Sequence, residues 1–194
     1  MAGVKSNREV EIKLRLPDAA AGDRLLRGAG FRVRRPRVFE QNTLYDTLGG
    51  RLRRQGSLLR IRQAGGTALL TYKGPGVPSK YKSREELELT VSDGALLGQI
   101  LGRLGMTPSF RYEKYRTEYE RDEGGGIATV DETPIGDFIE LEGEGTWIDA
   151  TAGQLGFSEQ DYITASYAQL FFEARARGET LLSEMKFEEQ TAQE

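Results

Sequence analysis

The sequence of 194 residues contains neither histidine nor cysteine. The lack of cysteine excludes disulfides and thiol nucleophiles, and the lack of both residues excludes zinc sites built from them. Without histidine the chain also lacks the side chain that most often acts as a general base near neutral pH. We therefore expect any chemistry to depend on carboxylates, lysines, arginines, hydroxyl groups and hard metal ions.

Long apolar runs are missing as well. No segment approaches the roughly 20 apolar residues of a membrane span, and residues 1–9 lack the apolar stretch of a secretion signal. The 27 basic and 30 acidic side chains nearly balance, so neither nucleic acid nor an anionic membrane is indicated as a partner. The phosphate-binding loop G-x-x-x-x-G-K-S/T is also absent. These absences predict a soluble cytoplasmic protein.

The charged residues are distributed unevenly along the chain. Residues 31–62 contain nine arginines and only two acidic residues, Glu40 and Asp46. Residues 122–173 contain twelve acidic residues and no lysine or arginine. The two stretches must neutralise each other in the fold, or both must face a ligand that carries charges of both signs.

Charged and apolar residues alternate with a period of two in many segments. In residues 9–16 every odd position is charged and every even position is apolar, which is typical of a strand with one polar face. Similar patterns predict strands at about 38–46, 58–62, 68–73, 84–89, 112–120, 127–131 and 138–144. Helices are predicted after the capping residues Asp18 and Ser92 or Asp93, and over 162–177.

The charged faces of these strands contain little except Glu, Arg and Lys, whereas solvent-exposed faces usually have a more mixed composition. About eight mainly antiparallel strands can close into a barrel that is wide enough for a lumen. We therefore predict an α+β fold: an eight-stranded antiparallel β-barrel with a charged lumen, flanked by helices. Residues 1–178 would form this single domain, and 179–194 a C-terminal helical tail.

Such a lumen would place basic and acidic side chains opposite each other. The basic set comprises Lys13, Arg60, Arg62, Lys73, Arg84, Lys114 and Arg116. The acidic set comprises Glu9, Glu11, Glu88, Asp131, Glu140 and Glu142. So many confined cations suit a polyanion, and phosphate oxygens are natural partners of Arg and Lys. Because the carboxylates would repel those phosphates, Mg2+ or Mn2+ is expected between them.

Eight motifs occur in register along the chain. They are Glu9-x-Glu11-x-Lys13, Tyr45-Asp46-Thr47, Leu59-Arg60-Ile61-Arg62, Thr71-Tyr72-Lys73-Gly74-Pro75, Ser83-Arg84-Glu85-Glu86-Leu87-Glu88, Lys114-Tyr115-Arg116, Asp131 followed by Gly136-Asp137-Phe138-Ile139-Glu140-Leu141-Glu142, and Ser166-Tyr167. With these motifs the sequence resembles the CYTH superfamily, also called the triphosphate tunnel metalloenzymes. The resemblance is nearest to the class IV adenylyl cyclase-like branch.

The resemblance implies a tunnel that binds a triphosphate together with Mg2+ or Mn2+. The implied metal ligands are Glu9, Glu11, Glu140 and Glu142, with Asp131 as a ligand or a supporting group and Glu88 in an acidic motif beside them. The implied phosphate ligands are Arg60, Arg62, Lys73, Lys114 and Arg116, with Lys13 and Arg84 as supports. The candidate catalytic residues are Glu9, Glu11, Lys13 and Asp131.

Two reactions are compatible with this arrangement. The residues alone favour hydrolysis of ATP, thiamine triphosphate or inorganic triphosphate, because no adenine pocket is evident. The family resemblance favours the alternative, conversion of ATP to cyclic AMP and pyrophosphate. A non-catalytic polyphosphate- or nucleotide-binding module is a third interpretation, against which the two Glu-x-Glu pairs argue. A homodimer formed through an apolar outer face is also predicted.

Overall fold

The computed structural model describes residues 7–77 and 79–188. Its eight strands are β1 Asn7–Leu16, β2 Arg32–Thr47, β3 Leu58–Ala64, β4 Thr67–Lys73, β5 Lys82–Val91, β6 Met106–Glu120, β7 Gly126–Thr133 and β8 Gly136–Gly143. They form a closed barrel in the order β1-β5-β4-β3-β2-β6-β7-β8, and every neighbouring pair is antiparallel. The predicted fold class is therefore confirmed.

In residues 7–77 and 79–188, five α-helices and one short 3-10 turn accompany the barrel. They are α1 Ala19–Gly28, α2 Arg51–Arg54, α3 Gly94–Arg103, α4 Gly145–Gln154, the turn Glu159–Asp161, and α5 Tyr167–Ala176. Asp18 and Asp93 cap α1 and α3, as predicted, by accepting hydrogen bonds from the amides of Ala21 and Leu96. In the described part of the chain, no helix is long and apolar enough to cross a membrane.

The alternation along each strand separates the lumen from the main hydrophobic core. On β1 the side chains of Glu9, Glu11 and Lys13 face the lumen, whereas Ile12 and Leu14 point outwards and are fully buried. They pack in one cluster with Leu26 of α1 and Ile148 of α4. Because two helices cover the outer face of β1, this strand keeps its charged side chains inside the barrel without leaving Ile12 and Leu14 in water.

A second hydrophobic cluster joins α5 to one end of the barrel. Phe138, on the same face of β8 as Glu140, packs with Tyr167 and Phe171 of α5. The preceding segment is paired with β1, since the amides and carbonyls of Lys13 and Ile163 exchange hydrogen bonds of 2.9 Å. Residues 166–168 consequently line the lumen.

The C-terminal segment differs from the helical tail that the sequence predicts. Residues 179–188 contain no helix, and 189–194 lie outside the described residues. Beyond the end of its pairing with β7, β6 offers free backbone groups, and Met185 uses them: its carbonyl accepts from the amide of Glu113 at 2.8 Å and its own amide donates to Arg111 at 3.2 Å. Backbone pairing and burial of the Met185 side chain hold this part of the segment extended. The domain boundary after 178 stays a prediction.

Candidate active site

The lumen contains a cavity of about 240 Å³ to which all eight strands and α5 contribute side chains. Among the residues that the structure describes, nine basic side chains line it: Lys13, Arg34, Arg60, Arg62, Lys73, Lys82, Arg84, Lys114 and Arg116. Seven acidic side chains line it: Glu9, Glu11, Glu86, Glu88, Glu118, Glu140 and Glu142. Every site residue predicted from the sequence is therefore brought into one cavity, with the exception of Asp131.

Most of the predicted metal-binding carboxylates are contributed by β1 and the adjacent strand β8. Glu11 is directly opposite Glu142 in the pairing of these strands, and Lys13 is opposite Glu140. The ammonium group of Lys13 lies between the two strands, 3.1 Å from Glu11 Oε1 and 3.0 Å from Glu140 Oε1. We call the four glutamates Glu9, Glu11, Glu140 and Glu142 the carboxylate pole.

Burial and neighbouring charges shift the pKa values of the carboxylate pole. Burial and the nearby carboxylate of Glu11 raise the pKa of Glu9 to about 7, although Lys73 acts in the opposite direction. The same two causes raise the pKa of Glu142. Burial alone would also raise the pKa of Glu11 and of Glu140, but Lys13 and neighbouring cations outweigh it and hold both pKa values well below the ordinary value.

Lysines occupy the oxygens of the carboxylate pole. Lys73 Nζ donates to both carboxylate oxygens of Glu9, at 2.5 and 2.6 Å, and Lys82 Nζ donates to Glu11 Oε1 at 2.6 Å. In the described ranges 7–77 and 79–188, no group of three carboxylates is arranged to hold a metal ion. The donor chemistry nevertheless fits Mg2+ or Mn2+, since both prefer oxygen ligands, and a cation would offset the burial and the carboxylate repulsion that raise the pKa of Glu9 and Glu142.

Four cations on β3 and β6 form the wall that we call the phosphate clamp: Arg60, Arg62, Lys114 and Arg116. Arg60 donates to Tyr112 Oη at 3.3 Å and to Thr71 Oγ1 at 3.2 Å. Arg60 and Arg62 each lie 3.7 Å from Glu88 Oε1. Glu88 thus faces the arginines of β3, although its own strand β5 is adjacent to β1 in the barrel.

Asp131 lies behind the clamp and outside the cavity lining. It is fully buried, and its oxygens accept hydrogen bonds from Lys114 Nζ at 2.8 Å, Arg116 Nε at 2.7 Å and Tyr167 Oη at 2.7 Å. Arg116 also contacts Glu140. Of the two roles predicted for Asp131, ligand or support, these contacts favour support of the clamp.

Unpaired donors remain among the buried arginines. Nε of Arg60 and Nε of Arg84 are buried and have no hydrogen-bond partner among the described residues. A buried donor without a partner costs free energy, on the order of 1–3 kcal/mol. An anion in the lumen would supply the missing acceptors.

Several residues that line the lumen or are buried directly beside its lining were not predicted as site residues from the sequence. Lys82 lies on the same face as Arg84 and Glu86 at the start of β5, so a strand predicted from 82 instead of 84 would have included it. Glu40 shares the face of Leu44 on β2 and belongs to the arginine-rich stretch, but an isolated carboxylate there carried no signal. Tyr167 was part of the Ser166-Tyr167 motif, but no role was predicted for it. The ammonium groups of Lys13 and Lys114 lie 5.1 and 5.2 Å from the centroid of its ring.

Comparisons with known proteins agree with this architecture. The CYTH domain family matches residues 7–167. A Methanocaldococcus jannaschii protein named as a candidate adenylate cyclase is 30% identical over 135 residues, which cover 69% of this chain and 75% of that protein. A structure from Vibrio parahaemolyticus, also described as a candidate adenylate cyclase, has a TM-score of 0.74 and 22% identity and covers 87% of this chain and 99% of its own.

A further similar structure is that of a Hippeastrum protein. It has a TM-score of 0.61 and 23% identity, and the match covers 90% of this chain and 98% of that one. It is described as a candidate adenylyl cyclase that reveals a dominant triphosphatase activity.

Proposed function

Because the chain belongs to the CYTH family, we propose that it is a metal-dependent triphosphatase, which hydrolyses the triphosphate group of a nucleotide, of thiamine triphosphate or of inorganic triphosphate. The observation that carries the proposal is the pairing of a carboxylate pole with a phosphate clamp inside one lumen. A free anion would need only the phosphate clamp, and a free metal ion would need only the carboxylate pole. A phosphate chain that binds together with a divalent cation needs both.

The balance of basic and acidic side chains in the lumen supports a ligand that carries both positive and negative charges. The nine basic side chains of the lining are matched by its seven acidic ones together with Glu40 and Asp131, which are buried next to the clamp outside the cavity lining. A bare polyanion would leave the carboxylates repelled. When a triphosphate binds together with its cation, the phosphate oxygens can pair with the lysines and arginines while the carboxylates bind the cation.

The clamp residues have the chemistry that phosphoryl transfer needs. Guanidinium groups of Arg60 and Arg62 can each present two parallel donors to phosphate oxygens, and Lys114 adds a point charge. Asp131 holds Lys114 and Arg116 in place before substrate binds, and Tyr112 and Thr71 hold Arg60, so these cations stabilise developing negative charge with little reorganisation.

Glu9, Glu11, Glu140 and Glu142 would hold the Mg2+ or Mn2+ ion. When bound, this ion neutralises phosphate charge and makes water a better nucleophile. Lys13 and Lys73, which the ion would displace from these carboxylates, are then free to donate to the phosphate chain.

The aromatic side chains of the lumen favour hydrolysis over cyclisation. Among the described residues, the lumen lining includes two aromatic rings, and both are engaged. Lys13 and Lys114 contact the ring of Tyr167, and Tyr112 lies against Phe110 and Tyr167. Neither ring offers a free face for stacking an adenine, so recognition is expected to depend on the triphosphate.

The alternative function is that of a class IV adenylyl cyclase. It is favoured by the name of the Methanocaldococcus jannaschii relative at 30% identity. In this reaction the ribose 3'-hydroxyl attacks the α phosphorus and pyrophosphate leaves, so the same clamp would serve a different phosphorus atom.

Product analysis distinguishes the two reactions. The purified chain is incubated with ATP, thiamine triphosphate or inorganic triphosphate, with Mg2+, Mn2+ or EDTA, and the products are separated by ion-exchange chromatography. We expect orthophosphate and the corresponding diphosphate, only with metal. Cyclic AMP as the main product would establish the alternative, and no turnover of any substrate by a chain that binds triphosphate would favour a binding module.

A further inference from the structure

Glu40 is a buried carboxylate that the proposed reaction does not yet use. It lies on β2, which is diametrically opposite β1 in the strand order of the barrel. Its exposure is 2%, so the side chain is almost completely removed from solvent. It is therefore far from the carboxylate pole around the barrel and belongs to the wall that carries the phosphate clamp.

All four clamp cations act on this carboxylate. Glu40 Oε1 lies 3.6 Å from Arg62 Nη1, and Oε2 lies 3.7 Å from Lys114 Nζ. Burial alone would raise the pKa of Glu40, but Lys114, Arg116, Arg62 and Arg60 together lower it to about 2. Glu40 is thus a permanent negative charge among the groups that would bind phosphate.

The contacts of Glu40 differ from those of Asp131. Asp131 accepts several short hydrogen bonds, whereas both ion pairs of Glu40 exceed hydrogen-bond length and Oε2 has no hydrogen-bond partner in the described chain. Asn42, the next residue on the same face, likewise has an unpaired amide. Glu40 therefore supplies charge to the clamp more than it fixes the geometry of the clamp.

We propose that Glu40 sets the phosphate affinity of the clamp, as an internal competitor that holds Arg62 and Lys114 until a phosphate group displaces it. The inference rests on the proposed function in one respect only, that phosphate binds to these cations. This competition would promote product release. A cleaved product carries fewer phosphates than the substrate, so it competes less well with Glu40 for Arg62 and Lys114.

The test is a charge series on the β2 wall. Glu40→Gln keeps the size of the side chain and removes its charge, whereas Asn42→Asp adds a charge one position further along the same face. The matched control is Glu132→Gln, which breaks an ion pair with Arg37 on the outer face of the barrel. Isothermal titration calorimetry with pyrophosphate in EDTA measures the affinity of the clamp without turnover and without metal.

We expect Glu40→Gln to bind pyrophosphate about tenfold more tightly than the unmodified chain, and Asn42→Asp about tenfold more weakly, which is the order of effect for one charge near an anion in a partly buried site. Glu132→Gln should bind as the unmodified chain does. With inorganic triphosphate and Mg2+, Glu40→Gln should lower both KM and kcat, because product is retained.

Unchanged or weaker pyrophosphate binding by folded Glu40→Gln would overturn the inference. If that variant does not fold, Asn42→Asp decides: unchanged or tighter binding refutes the role of charge at this wall. A purely structural role predicts that both substitutions weaken binding. If the unmodified chain binds neither pyrophosphate nor triphosphate, the proposed function itself fails, and that outcome is visible before any variant is made.

Discussion

Replacing Asp131 by asparagine tests whether a buried carboxylate holds the clamp together. In the unmodified protein this side chain has no exposed surface and accepts hydrogen bonds from Lys114, Arg116 and Tyr167. An asparagine at this position would have one acceptor oxygen instead of two and would direct its amide hydrogens at groups that are donors themselves. Two buried cations would then lose their shared counter-charge.

The magnitude follows from the cost of breaking a buried ion pair by removing one partner, which is about 3–5 kcal/mol. In a domain of this size each kcal/mol lowers the melting temperature by about 2–4 °C, so Asp131→Asn should melt about 6–20 °C lower. Glu140 remains next to Arg116 and limits the loss, which places the expectation nearer the lower end of this range.

Thermal unfolding followed by circular dichroism, with urea titration as a second measure, gives the loss of stability. The control is Asp122→Asn, whose partner Arg32 is on the surface, where an ion pair contributes about 0–1 kcal/mol. Inorganic triphosphate should restore part of the lost stability, since its oxygens replace the missing acceptors. A loss below about 1 kcal/mol for Asp131→Asn would refute the view that Asp131 supports the clamp.

Three further predictions concern the carboxylate pole, the clamp and the stability at low pH. Glu140→Gln should abolish metal-dependent turnover while circular dichroism shows the native fold, and full activity of this variant would exclude Glu140 as a metal ligand. Arg60→Met should weaken triphosphate binding far more than adenosine binding, and calorimetry that shows equal losses for both would contradict the clamp. Burial alone would raise the pKa of Asp46, but hydrogen bonds from the backbone amides of Arg53, Leu52 and Thr47 lower it below the ordinary value. Ionised Asp46 therefore stabilises the fold above the unfolded pKa of about 3.9, and this stabilisation is lost as the pH falls through the folded pKa. Asp46→Asn should therefore unfold more easily than the unmodified chain at pH 7, by about 1 kcal/mol, with the difference shrinking below about pH 4 in urea titrations; a constant difference would show that ionisation of Asp46 is irrelevant.

Much of the fold could be predicted because a strand repeats every two residues. The alternation in residues 9–16 places Glu11 and Lys13 on one face and Ile12 and Leu14 on the other whatever the neighbouring strands are. Gly65-Gly66 likewise predicts a tight hairpin, and both residues have positive φ, at 54° and 80°. These features depend on local backbone geometry alone.

Elements that depend on distant partners were less predictable. Helix α5 begins at Tyr167 and not at 162, because 163 is paired with β1 and Ser166 caps the helix. The helical tail was not found in residues 179–188, because Met185 pairs with β6. No local pattern in either segment reveals the strand edge with which it pairs. The predicted homodimer stays a prediction.

The sequence by itself determined which charges face the lumen, since parity along a strand sorts side chains to one face or the other. Only the closed barrel decided how those charges meet. Closure brings β2 to the far side of the lumen from β1, so Glu40 counters the clamp whereas Glu11 belongs to the carboxylate pole, and it draws Asp131 behind Lys114 and Arg116. The three carboxylates are the same chemical group, and their roles differ because an ion pair depends on distance in space, which separation along the chain does not specify.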